Sequence, residues 1–124
     1  MANVIVWADI PVTDLERARK FYEHVLGTPV AGMPGMEQFP ILRSPESPDQ
    51  MDVSADLAAG EIKPSVDHGV TIYLNSNGDI DGMLARAAEA GGVVLMQKKL
   101  MENVGWMAFF KDSEGNRIGI HQQA

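Results

Sequence analysis

Apolar residues recur along the chain with two alternating periods, and the alternation lays out its elements. Val4-Ile5-Val6-Trp7-Ala8-Asp9-Ile10 is β-branched and apolar around a central Trp, which predicts a strand from Val4 to Ile10. Pro11 has no N–H and is expected to stop that strand's ladder. Thr13-Asp14-Leu15-Glu16 fits a capping box: a Thr oxygen meets a free helix N–H, and a Glu three residues on reaches back. Leu15, Ala18, Tyr22 and Val25 then recur at helical spacing with Phe21 and Leu26 beside them, so one stripe is buried. Glu16, Arg17, Lys20, Glu23 and His24 take the wet side. Gly27 is the expected left-handed stop, and Pro29 keeps the helix from resuming.

Residues 31–40 are too rich in Gly and Pro for a regular element. The pattern predicts a short strand near Pro29–Ala31, a loop, a strand at about Phe39–Arg43, a turn over Ser44–Gln50 and a strand over Met51–Leu57. Gly60 to Ser65, with Pro64, reads as a linker. Beyond it the spacing predicts a strand over Gly69–Asn75 and a helix that starts at Asp79-Ile80. That helix buries Ile80, Met83, Leu84 and Ala87 and ends at Gly91-Gly92. A strand over Val93–Gln97, a polar loop around Lys98–Asn103 and a strand over Trp106–Phe110 follow. A turn at Asp112-Ser113-Glu114-Gly115 leads to a last strand, Asn116 to Gln122.

The second half repeats the first. Leu15 and Gly27 lie twelve positions apart, as do Ile80 and Gly92, and Asp14-Leu15 corresponds to Asp79-Ile80. Each half reads strand, helix, strand, strand, strand. A unit of that kind covers one sheet face with its own helix and leaves the other bare, so two must combine. The expectation is an α+β fold within one domain over residues 1–124, with modules at about 1–58 and 67–124 and a linker at about 59–66.

Composition narrows the function. The 124 residues carry 17 acidic and 10 basic side chains, a formal net charge of −7, which repels phosphate backbones and argues against nucleic-acid binding. There is no cysteine, so disulfides, thiolate metal sites and Cys nucleophiles are excluded. No apolar stretch approaches the ~20 residues that cross a bilayer, and no secretory pattern opens the chain. A cytoplasmic protein without a membrane partner is expected.

Two motifs make the pattern specific. Asp14-Leu15-Glu16-Arg17-Ala18-Arg19-Lys20-Phe21-Tyr22, running on to Val25-Leu26-Gly27, and Asp112-Ser113-Glu114-Gly115-Asn116-Arg117-Ile118 together resemble the vicinal-oxygen-chelate superfamily. That superfamily includes glyoxalase I, bleomycin-resistance proteins and extradiol dioxygenases, and the likeness here is to its small bacterial glyoxalase-like members. The resemblance implies two βαβββ modules whose bare faces form a U-shaped mixed-sheet cleft, commonly in a homodimer. In metal-dependent members the cleft holds a divalent ion on His, Gln or Glu from the first and fourth strands of each half. Carried over residue by residue, the first-strand ligand falls on Trp7, its repeat on Thr71 and the last-strand ligand on Gly119. The remaining position lies within Met51–Leu57, where Asp52 and Asp56 are the carboxylates. Indole is only a donor, so the expected site has no metal and no other cofactor.

Strand alternation sorts the cleft lining. Ala8 and Ile10 suit the first helix, which leaves Ile5, Trp7 and Asp9 for the cleft. Ile72 and Leu74 suit the second, which leaves Thr71, Tyr73 and Asn75. Ile118 and Ile120 are core-like, which leaves Arg117, Gly119 and His121. Trp7, Asp9, Thr71, Tyr73, Arg117 and His121 are therefore the candidate ligand-binding residues, a mixture suited to a small planar or amphiphilic organic molecule. Trp7 and Tyr73 equally suit filling the space a metal would take. Asp9 and His121 are the candidate acid–base groups if they meet; His24 reads as a surface residue and His68 as a loop residue. Met33, Met36 and Met101 could line the cleft mouth or simply pack. Three readings stand: a metal-independent small-molecule binder, a metal-dependent glyoxalase-like lyase or isomerase, and a metal-free enzyme using Asp9 or His121.

Overall fold

The computed structural model describes residue 5 and residues 7–32, 34–42, 53–60 and 62–124. Its elements are β1 (Trp7–Val12), α1 (Leu15–Leu26), β2 (Ser54–Ala59), β3 (Ile72–Asn75), α2 (Ile80–Glu89), β4 (Val93–Met101), β5 (Gly105–Lys111) and β6 (Arg117–Gln122). The predicted turn at 44–50, the start of the strand predicted at 51 and Met33 lie outside the described residues.

Strands and helices combine in one α+β core. β1 and β2 pair in parallel, with Trp7 beside Ser54 and Asp9 beside Asp56. Four strands form the other sheet in the order β3-β6-β5-β4: β3 is parallel to β6, and the rest are antiparallel. Beside β2, isolated antiparallel bridges run outward from Asp56 to Ile41 and from Ile41 to Ala31. The strands expected at Pro29–Ala31 and Phe39–Arg43 are therefore reduced, among the described residues, to these isolated bridges. Pro29, Gly32, Pro34, Gly35 and Pro40 explain the reduction, since proline removes ladder donors and glycine weakens strands.

Several boundaries differ from those the pattern predicts. β1 runs through Pro11 to Val12. The Pro11 carbonyl accepts from Asn116 Nδ2 at 2.7 Å, so this residue turns its polar edge away from β2 and the ladder needs no N–H from it. Asp14, not Thr13, is the N-cap of α1; its carboxylate accepts from Arg17 N at 3.0 Å. Glu16 holds Arg19 instead of reaching back. β4 continues through the predicted polar loop to Met101, with register shifts on either side of Met96. Lys98 stays in the strand because its stem lies over Trp106, with Nζ 5.1 Å from the ring centroid and 2.8 Å from Asp81 Oδ2. β3 and β6 are shorter than expected, beginning at Ile72 and Arg117.

One hydrophobic core joins the halves. Ile10, Val12, Leu57, Ala18, Tyr22 and Val25 from the first pack with Ile80, Leu84, Ala108, Phe110, Ile118 and Ile120 from the second. Phe21 meets Phe110 at 5.9 Å between ring centroids, and the Arg86 guanidinium donates to the Val25 carbonyl at 3.0 Å, tying α2 to the end of α1. Burying side chains of this size contributes about 1.5–3 kcal/mol each.

The second tie is polar. The Tyr22 hydroxyl, fully buried, donates to Asp112 Oδ2 at 2.5 Å, and Asn116 Nδ2 donates to the same oxygen at 3.0 Å. Burial, then the Asp112 charge, holds the Tyr22 hydroxyl well above its ordinary pKa, so it stays a donor. Beside it Glu114 accepts from Thr13 N and Oγ1, both at 2.9 Å, from Asp14 N at 2.8 Å and from Arg17 Nε at 2.7 Å. The β5–β6 turn thus caps α1 from outside. This explains why an Asp-x-x-Gly-Asn turn and a Phe-Tyr helix occur in one sequence: each satisfies the other's buried polar groups.

Candidate functional site

Helix packing leaves one face of each sheet open. On β1 and β2 the side chains of Ile10, Ala55 and Leu57 are buried in the core, which turns Trp7, Asp9, Ser54, Asp56 and Ala58 outward. On the larger sheet Ala108, Phe110, Ile118 and Ile120 are buried against the helices. Met107, Phe109 and Lys111 of β5, Arg117, Gly119 and His121 of β6, and Tyr73 and Asn75 of β3 take the opposite face.

The first open face centres on two carboxyls. Asp9 and Asp56 stand side by side across the parallel register, and Asp56 Oδ1 is buried without a hydrogen-bond partner. Burial, and then hydrogen bonding with Asp9 and its charge, push the Asp56 pKa up to about 6, while the Trp7 indole draws it the other way. A recess of about 290 Å3 opens next to them, bordered by Asp9, Pro11, Ala58 and Ile62.

The second open face is aromatic and cationic. The Tyr73 ring meets Phe109 edge-to-face at 5.6 Å, and the Arg117 guanidinium lies over Phe109 at 4.2 Å from its centroid. Tyr73 rests on Gly119: a Cβ there would come within 2.6 Å of Tyr73 Cε2 and closer still to Cδ2, so only glycine leaves room for the ring. A recess of about 630 Å3 runs from Tyr73 past Asn75 to His121 and Gln122.

Of the residues the sequence nominated, Trp7 and Asp9 stand together on the first face. Tyr73, Arg117 and His121 stand on the second, and the two recesses share no lining residue. His121 Nε2 donates to the Val104 carbonyl at 2.7 Å, which commits that nitrogen to the β4–β5 turn. Thr71 lies just before β3, half-buried, and the residue beside Gly119 is Tyr73. Counted from Tyr73, the connection into α2 is one residue shorter than that from Trp7 into α1, and this moves the equivalent of Trp7 from Thr71 to Tyr73. Asp56 as the neighbour of Asp9 and Phe109 as the floor beneath Tyr73 were not singled out from sequence. The alternation Ala55, Leu57 against Ser54, Asp56, Ala58 would have set the parity of β2, but its pairing partner required the fold.

Register also tests the donor set for a divalent metal. The four positions that resemblance assigns to ligands become Trp7 with its neighbour Ser54, and Tyr73 with its neighbour Gly119. An indole, a hydroxymethyl, a phenol and a hydrogen do not make the His and carboxylate set such an ion takes. Among the described residues no three His, Asp or Glu side chains converge elsewhere. Asp52 lies outside the described residues.

Comparison with known proteins gives one consistent result. The sequence model of the Glyoxalase/Bleomycin resistance protein/Dioxygenase superfamily matches residues 4–120. CFP32 of Mycobacterium tuberculosis, whose name marks it as a suspected glyoxylase, is 26% identical over 124 residues, covering 94% of this chain and 44% of its own. The chain thus spans less than half the length of that curated relative. Among solved structures, a glyoxalase/bleomycin resistance protein from Albidiferax ferrireducens aligns with a TM-score of 0.77 at 19% identity, covering 98% of this chain and 100% of that one. TnmS3, an antibiotic binding protein from a Streptomyces species, aligns with a TM-score of 0.64 at 23% identity over 99% and 98% of the two chains. At these identities the structural likeness establishes the fold alone.

Proposed function

Since the chain belongs to the glyoxalase/bleomycin resistance protein/dioxygenase superfamily, we propose that it binds a small organic molecule on its open sheet faces without the divalent metal of the metal-dependent members. The observation that carries this reading is the Tyr73 ring seated on Gly119. A glutamate at 119 would have to displace an aromatic side chain that Phe109 holds from the side. Trp7, Asp9, Tyr73 and Arg117 supply area and orientation instead, as small-molecule sites generally do. A structural neighbour described as antibiotic binding is consistent with that use of the fold. Assembly as a homodimer belongs to the same proposal, with a second copy adding its own open faces to the binding surface.

The test is a thermal-shift and tryptophan-fluorescence screen of the full chain against nickel, zinc and a panel of planar organic compounds. A ligand selective for the native state raises its stability by RT ln(1 + [L]/Kd). Stabilisation by organic compounds and not by metals is expected, with dimer mass in solution scattering. Stoichiometric nickel or zinc binding together with turnover of a hemithioacetal would overturn the reading in favour of a lyase or isomerase.

One observation favours a second reading, a metal-free enzyme. Burial and the neighbouring Asp9 push the Asp56 pKa up to about 6, which suits a carboxyl that gives and takes protons near neutrality. Asp9 has this partner, whereas His121 is engaged with Val104. A reaction of this kind would lose its rate in Asp9→Asn and in Asp56→Asn alike. Full activity in both variants would remove the carboxyl pair from the chemistry.

A further inference from the structure

The open face of the sheet formed by β3, β6, β5 and β4 carries cations and, among the described strand residues, no carboxylate. Register places Lys111 beside Arg117 and Lys99 beside Met107, with Phe109, Gly119, His121, Tyr73 and Asn75 filling the rest. In a chain with 17 acidic and 10 basic residues, three cations on one face without an acid are a local inversion of charge. Arg17, Arg19, Arg86 and Lys98 each hold a carboxylate. Among the described residues Arg117, Lys111 and Lys99 form no such pair. The opposite holds on the face of β1 and β2, where Asp9 and Asp56 are the charged groups.

Resting on the reading that the open faces hold a small organic molecule, we propose that this second face recognises a planar aromatic carboxylate, with Arg117 as the anchor and Tyr73 with Phe109 as the stacking surface. Three features fit that ligand class. The Phe109 ring beneath Arg117 fixes the guanidinium plane at 4.2 Å, and a flat, pre-oriented fork is the donor geometry that takes a carboxylate in two hydrogen bonds. Tyr73 is 45% exposed although it packs on Phe109 and Gly119, so a ligand ring finds a free aromatic surface. Arg117 and Gly119 are two residues apart on β6, a rise of about 6.6 Å, so a ring over Tyr73 reaches Arg117 with a carboxylate on a short conjugated arm. Lys111, beside Arg117, adds a second positive charge at the same end.

The experiment is calorimetric titration of the full chain with cinnamate, with its neutral amide and with inorganic phosphate. It is repeated on Arg117→Met and on Lys20→Met, a surface charge change on α1. Cinnamate should bind at least about tenfold more tightly than the amide and than phosphate, a difference near 1.4 kcal/mol. Arg117→Met should lose at least about tenfold while keeping its melting temperature, and Lys20→Met should stay within about twofold. Equal affinity for acid and amide would overturn the proposal. So would phosphate binding as tightly as cinnamate, unchanged binding in Arg117→Met, or no cinnamate binding up to about 10 mM. Neutral aromatics that shift tryptophan emission while cinnamate fails to bind would overturn this ligand class and leave the broader binding reading standing.

Discussion

Replacing Glu114 by glutamine should remove more stability than any other single polar change in the described chain, and the structure says why. Its side chain is 0% exposed, yet it meets Arg17 at 2.7 Å. It also accepts from Thr13 N, Thr13 Oγ1, Asp14 N and Ser113 Oγ, four further donors within 2.8–3.0 Å. Burial alone raises the carboxyl pKa, but the Arg17 hydrogen bond and the Asp14 and Thr13 donors outweigh it and bring it from 4.5 to about 2. That fall corresponds to about 3 kcal/mol favouring the folded, ionised form. Glutamine keeps one acceptor and turns an NH2 toward donors already there, so a loss of about 2–4 kcal/mol is expected. The sign in pH follows from the depressed value. The contribution is complete above pH 4.5, declines as pH falls, and is gone near pH 2. Urea unfolding at pH 7 and at steps from pH 5 to pH 2 measures both effects: a lower midpoint for the variant with unchanged m, and a shallower fall of stability toward acid. A loss below about 0.5 kcal/mol at pH 7, or parallel pH curves for the two proteins, would refute the assignment of this network as the external cap of α1.

Three further outcomes are expected. Tyr22→Phe removes one of the two side-chain donors on Asp112 Oδ2 in the core; unfolding by denaturant should show a loss of about 1–3 kcal/mol. Asp56→Asn should stabilise at pH 7, because a carboxyl held up at about 6 loses folded-state stability as pH rises from 3.8 through that value. Discounted for the partial exposure of Asp56, the gain is about 1–2 kcal/mol, absent at pH 3, and calorimetric melts at the two pH values test it. Gly119→Ala drives a methyl into the Tyr73 ring and should cost about 1–3 kcal/mol. It should also shift the near-ultraviolet dichroism of the aromatics, and an unchanged spectrum would mean the ring does not lie on Gly119.

Periodicity and caps were enough for the order of elements, because a helix or strand that buries one face writes that face into the sequence. The stripe Leu15, Ala18, Tyr22, Val25 and the stops at Gly27 and Gly91 are local facts, and the structure reproduces both helices within two residues. Superfamily membership was legible in the two motifs, since Tyr22, Asp112 and Asn116 form one buried network and each needs the others' residue type. What the pattern misplaced lay where local chemistry is overridden by a partner. Thr13 and Glu16 look like a capping box, but Glu114, a hundred residues away, takes the Thr13 donors. Lys98 looks like loop until Trp106 and Asp81 give its stem and charge a place in β4.

The site divides the same way. Alternation alone put Trp7, Asp9, Tyr73, Arg117 and His121 on open faces, since strand side chains point by parity. It could not give register, because a pairing partner is chosen by the whole sheet and not by either strand. Only tertiary structure set Asp56 beside Asp9 and seated Tyr73 on Gly119, which gave one face an acid pair and the other an aromatic, cationic floor.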